Sequence, residues 1–314
     1  MSLERYLGQL FLTWFNQRHG RGFILLPEIG PAAGDRPAEA QLWASAGQYR
    51  LALAVDRLFE SEDAAWDRRR LEVEVRLTRA LHAPYLLWMP PQARLPGAEP
   101  EESEFALRVQ MGAAPLLAGG RGEVSLPVPL RLGKTQDDGA YVSVVGGLSR
   151  HWTAISERVQ GAFNLDSTAF HRLSRRPEVR EEIFARIADY SSRLSVGEGV
   201  QFEAEEAWTI QKLAEGEEVF TVGCPPDFDP TDGTSLRRLM RRRVAAANEA
   251  LGSLEADLKA LALVGVWEYA EDEGASAILR GFDSAIFSNI DVIAILADGE
   301  VRPALSARTL PWRG

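Results

Sequence analysis

A mixed α+β fold is predicted by three observations. Apolar residues recur at three- and four-residue steps over residues 3–17, as on the buried face of a helix. Several segments between 23 and 147 read as strands, some by alternation with a period of two and some as continuous apolar runs. Helical periods then return over 150–215 and over 234–261. The 314 residues suffice for two domains. The stretch PPQARLPGAEPEESE (90–104) is rich in proline and acid and has no apolar period, so 91–104 is expected to be a linker. It would separate a domain over 1–90, a helix plus a small and mostly antiparallel sheet, from a larger β–helical–β domain over 105–314.

In order, Leu3, Leu7, Leu10, Phe11, Trp14 and Phe15 form the first helical stripe, which Gly20 and Gly22 end. FILLPEIG (23–30) follows as a short strand, and Pro27 favours an edge or a bulge. EAQLWAS and QYRLALAVDRLF flank Ala46 and Gly47 as a hairpin. LEVEVRL (71–77) alternates with almost no noise and is expected to be a strand. APYLLWMP (83–90) is a continuous apolar run, expected to be a buried one. FALRVQM, EVSLPVPLRL and AYVSVVGGL read as further strands. PEVREEIFARIADYSSRL is a helix with Pro177 in its first turn and Ile183, Phe184, Ile187 and Leu194 as its buried stripe. EEVFTVGC is a strand, and the longest helix starts at a Thr234 or Ser235 cap. The tail returns to strands, with Asp298-Gly299 as a hairpin turn, and these are expected to pair with the strands of 105–147.

Composition bounds the function classes. The chain carries 35 basic and 45 acidic residues, a formal charge of −10, which repels nucleic acid and anionic membrane unless a basic patch is concentrated somewhere. Cys224 is the only cysteine, so no intrachain disulfide and no thiolate zinc cluster can form. The first twenty residues lack the apolar core of a signal peptide, and no run of about eighteen apolar residues is present to span a membrane. A cytoplasmic location is expected.

The first candidate site lies around LEVEVRL. Asp56 ends one expected strand, and Glu74 with Arg76 lies on the next, facing the same way. With the leading helix, this order resembles metal-dependent nucleases of the restriction-endonuclease type over residues 1–90. The resemblance implies Asp56, Glu74 and Glu28 as ligands of Mg²⁺ or Mn²⁺, with Glu72 as a further acid. It also implies Asp56, Glu74 and Arg76 as the group that polarises water and phosphate. Arg76 stands where that family has lysine, and a guanidinium neither sheds a proton nor approaches water as a compact ammonium does. The plainer reading is a half-exposed strand whose Glu and Arg side chains neutralise their neighbours.

Other stretches carry less chemistry. In CPPDFDPTDGTSL (224–236), Asp227 and Asp229 sit at the spacing of haloacid-dehalogenase-type phosphatases, but two prolines separate them from the preceding strand, and a helix cap accounts for the acids. Ser167 and His171 are one helical turn apart, without the strand–turn–helix elbow of a hydrolase. Arg237, Arg238, Arg241, Arg242 and Arg243 fan around a helix whose seam is Leu236, Leu239, Met240 and Val244, a face able to grip phosphates or an acidic partner. Aromatic interleaving, which single-strand binders use, is missing from that cluster. The expected function is a non-catalytic interaction or accessory subunit of a bacterial-type assembly, without a cofactor, working through a protein partner or self-association. A metal-dependent nuclease-like protein and a nucleic-acid binder using the arginine helix are the alternatives.

Overall fold

The computed structural model describes residues 2–27, 40–59, 64–225, 228, 232–265, 279–306 and 310–312. Among them are six α-helices and two six-stranded mixed sheets, an α+β architecture. The chain divides into two compact units, one made of residues 1–64 and 222–314 and the other of 65–221. The second unit is therefore an insertion into the first. The boundary expected at 91–104 lies inside the insertion instead, and residues 101–104 are the first turn of a helix.

The first unit begins with α1 (Leu3–His19), whose N-terminus is capped by Ser2 and whose chain turns away at Gly20 in the left-handed region (φ 62°). Strands β1 (Ile24–Leu25), β2 (Ala40–Ala46) and β3 (Tyr49–Arg57) pair antiparallel. After the insertion come α6 (Gly233–Gly252), β10 (Leu258–Val264), β11 (Val292–Ala297) and β12 (Glu300–Leu305). The sheet order is β1-β2-β3-β10-β11-β12, with β10 parallel to both β3 and β11. The tail strands thus pair with β3, correcting the expected pairing with 105–147. Asp298 and Gly299 both have positive φ (53° and 69°), as the β11–β12 hairpin turn requires.

Apart from Lys259 near its start, β10 (LKALALV) is apolar, as is all of β11 (VIAILA), and both have little exposure on either face. Such runs need cover on both sides. Helix α6 supplies one layer, setting Leu236, Met240, Val244, Ala247 and Leu251 against Ala52, Ala54, Leu261, Leu263, Ile293 and Ile295. Helix α1 packs on the opposite layer, where Gly8 lies so close that a Cβ would stand 2.3 Å from Leu42 Cδ1.

The second unit holds α2 (Ala64–Leu81), β4 (Tyr85–Trp88), α3 (Glu101–Ala113), β5 (Arg121–Gln136), β6 (Ala140–Gly146), α4 (Trp152–Ser156), β7 (Gly161–Ser167), α5 (Pro177–Arg193), β8 (Gly199–Lys212) and β9 (Val219–Val222). Its sheet runs β6-β7-β5-β8-β4-β9. The long β5–β8 pair, in register from Arg121↔Gln211 to Gly133↔Gly199, is its spine. Helices α2 and α3 pack at one end of that spine, and α4 and α5 at the other.

Two strand expectations fail here. LEVEVRL lies within α2, and FALRVQM within α3. In α2 the buried positions are Trp66, Val73, Glu74 and Leu77, whereas Leu71 and Val75 are exposed. A seven-residue window showed a period of two, but the full eighteen residues, rich in Ala, Leu, Glu and Arg, follow the helical period and propensity. The helical region 150–215 also contains strands β7 and β8, and the longest helix stops at Gly252, before β10. No helix among the described residues is long and apolar enough to cross a membrane. The close approach at Gly8 makes a specific prediction. Gly8→Leu is expected to lower stability by about 1–3 kcal/mol through overpacking of the α1 layer, measured by urea denaturation.

Candidate functional site

Asp56 sits near the end of β3, where its Oδ1 accepts the Arg57 N–H (2.7 Å). Its Oδ2 lies 3.5 Å from Nε of Arg243, which reaches over from α6. The acid that the nuclease resemblance makes a metal ligand is thus answered by an arginine of its own unit. Glu28 lies outside the described residues.

Glu74 belongs to the second unit, so it and Asp56 are parts of different compact bodies. It is a buried helical carboxylate. Its Oε1 accepts the Thr221 N–H (2.7 Å), the Thr221 hydroxyl (2.9 Å) and Nη1 of Arg70 (2.8 Å), fastening α2 to the end of β9. Arg76 does not share a face with it. Residues two apart on a helix diverge by roughly 200°, whereas on a strand they align. The expected common face therefore does not exist. Arg76 turns toward α3, where Glu99, Glu102 and the Ser103 hydroxyl receive it. Arg69 joins the same cluster through Glu102 and Glu72. The Ser103 hydroxyl and the Arg76 guanidinium hold the Glu99 carboxyl below the usual carboxylate range.

The five arginines of α6 have mixed employment. Arg237 and Arg241 lie over the ring of Phe282, at 5.4 and 5.1 Å from its centroid. They dock the 279–289 segment on the helix, a role shared with Asn248, whose side-chain oxygen accepts the Asn289 N–H. Arg243 pairs with Asp56. Arg238 is exposed at the helix start, beside the capping Asp232. Asp232 accepts from the Thr234 and Ser235 N–H groups, the capping role expected of this stretch. Its carboxyl is held low, chiefly by the Ser235 side chain. Arg242 is exposed as well. Asp227 and Asp229 lie outside the described residues.

Compared with known proteins, the chain matches no family model, no curated protein and no solved structure. Function therefore has to be read from the side chains.

Ser167 and His171 do not form a pair. The fully buried Ser167 hydroxyl donates to Val145 O (2.6 Å) and accepts from the Leu148 N–H (3.1 Å). His171 turns its Nδ1 to Glu206 (2.9 Å). Glu206, buried on β8, also accepts from the His171 N–H (2.5 Å) and from Trp208 Nε1 (2.6 Å). This staple was not foreseen in the sequence. Its one signal is an acid at a position of EAEEAWTI that the strand turns inward. Among the described residues, no group of three His, Cys, Asp or Glu side chains could hold a metal ion.

These pairings predict unequal sensitivity along α2. Glu74→Ala should cost roughly 3 kcal/mol in urea unfolding, because Arg70 and the Thr221 donors lose their acceptor inside the protein. Glu72→Ala, at an exposed position, should stay within about 0.5 kcal/mol. The depressed Glu99 carboxyl adds a pH effect. Its contribution to the α2–α3 interface is present above the ordinary carboxylate pKa and is lost as pH falls through the lowered value, which hydrogen exchange of the α3 amides would show as faster opening in acid.

Proposed function

We propose that this chain is a non-catalytic protein that works by contacting partners, an interaction or accessory subunit. The observation that carries the reading is the engagement of the two candidate carboxylates by donors of their own units. Arg243 faces Asp56, and Thr221 with Arg70 surrounds Glu74. A carboxylate that grips a cation needs its lone pairs open and its neighbours acidic, whereas these two are placed as structural ion pairs.

Support of a second kind comes from the outer surfaces of α2 and α3. Leu71 and Val75 on one helix, and Leu107 and Met111 on the other, are each four residues apart and more than half exposed. Paired apolar side chains on the wet face of a helix suit contact with another protein better than scattered single ones.

The restriction-endonuclease-type alternative draws on a specific observation, the leading α1 followed by antiparallel β1, β2 and β3. In that form it is a framework of nuclease-like order in which Asp56 and Glu74 are engaged by donors of their own units.

The decisive experiment is a cleavage assay on supercoiled and single-stranded DNA with Mg²⁺ or Mn²⁺. The expected outcome is intact DNA, together with an Asp56→Asn variant that is less stable than the parent. Cleavage that needs the metal and disappears in Asp56→Asn would overturn the proposal.

A further inference from the structure

The tertiary structure assembles, away from α6, the alternation of arginine and aromatic rings that the α6 cluster lacks. Three arginines of the first unit lie on tryptophan faces. Arg18 is 5.8 Å from the Trp14 ring centroid, Arg21 is 4.5 Å from that of Trp312, and Arg50 is 4.5 Å from that of Trp43. Arg21 also lies 5.9 Å from the Tyr49 ring. Phe15 joins the first two pairs, since its ring is 6.3 Å from Trp14 and 6.2 Å from Trp312. Tyr49 and Arg50 are adjacent at the start of β3. Adjacent strand residues face opposite ways: Tyr49 meets Trp312 on the α1 side of the sheet, whereas Arg50 lies on Trp43, which packs with Ala52 and Ala54 on the α6 side, so only the Arg18 and Arg21 pairs share a surface, around the C-terminal end of α1.

Among the described residues, none of these three guanidiniums takes a carboxylate partner, although the chain carries ten more acids than bases. Arg18 and Arg50 are exposed and Arg21 is half-buried. Stacking fixes a guanidinium plane and leaves its edge N–H groups pointing along that plane, ready for a bidentate anion. The end of α1 does not oppose an anion with a bare carbonyl at Asn16, because Asn16 O accepts from the Gly20 and Arg21 N–H groups. Two acids stand at the same end of the sheet. Asp257 is occupied by the Arg50 N–H and Asp291 by the Lys259 N–H.

We propose that this α1-side surface binds single-stranded nucleic acid, with Arg18 and Arg21 gripping phosphates and the adjoining rings of Trp14, Trp312 and Tyr49 offering faces to bases. The proposal rests on the non-catalytic reading and gives that protein a partner class. Flat rings and forked cations spaced along a surface suit a strand whose bases are unpaired. The overall negative charge predicts weak binding that is steeply sensitive to salt.

The test is fluorescence anisotropy of a labelled deoxythymidine oligomer at low salt, with EDTA present, alongside the protein's tryptophan emission. Binding is expected to quench the emission and to weaken as salt rises. Replacing Arg18 and Arg21 together by alanine should reduce affinity about tenfold and flatten the salt slope by roughly one for each phosphate that is no longer gripped. Alanine at Arg238 and Arg242 should leave both unchanged. Should the double variant lose its cooperative unfolding, lysine at the same two positions decides, since lysine keeps the charge and loses the stacked fork. A severalfold loss with lysine supports the proposal, and parental affinity overturns it. The proposal is also overturned if the parent does not bind, if the alanine variant binds as the parent does, or if polyglutamate binds as tightly through the same residues. An oligomer cleaved when metal replaces EDTA would sink the non-catalytic reading, whereas an oligomer neither bound nor cleaved would sink this inference alone.

Discussion

Burial of the parallel trio β3, β10 and β11 is the constraint on which the first unit depends. Their continuous apolar runs, residues 51–55, 260–264 and 292–297, have no face to leave in water, so each side of the sheet has to be roofed by a helix. The roofs come from opposite ends of the chain, α1 from the start and α6 from beyond the insertion. Parallel neighbours also need a crossover, and the connection from β3 to β10 contains α6 and the whole second unit. The arrangement brings the C-terminal Trp312 onto Phe15 and Phe23, closing the unit with residues from both ends of the sequence.

Charge is organised by the same need for partners. An arginine-rich, acid-rich chain that buries any of these groups must supply the counter-group from its own fold, because an unpaired ion in the interior costs more than a lost hydrogen bond. Glu74 and Glu206 illustrate the solution, each surrounded by three donors. The cluster of Arg69, Arg76, Glu99 and Glu102 does the same at the surface between α2 and α3. Against that background, arginines held by rings and not by acids stand out. Arg18 and Arg21, over Trp14 and Trp312, are two of these, and their positive charge is what the proposed surface would offer to an outside anion.

Local features were readable wherever a signal extended over enough residues. The stripe of α1, the Pro177 start of α5 and the Asp298-Gly299 turn depend on residues within one or two turns of each other and are found where the pattern placed them, while the cap of α6 falls at Asp232, just before the expected Thr234 or Ser235. LEVEVRL misled because four apolar residues at alternate positions satisfy a strand over seven residues, while the helix containing them spans eighteen. Losing that strand removes the expected common face, since Glu74 and Arg76 then point to different sides of α2.

Sequence alone established the mixed class, helices α1, α5 and α6, many strands and the turn chemistry, because those follow from steric preferences and burial patterns acting over a few neighbouring residues. It could not establish that the second unit is an insertion, which strand β10 would join, or which cation would meet which acid. Those outcomes depend on residues far apart in the chain, such as Arg50 and Asp257, 207 positions from one another. Composition is blind to such meetings: an arginine reads the same whether it lies over Trp312, pairs with Asp56 or clamps Glu102, and only packing separates the three.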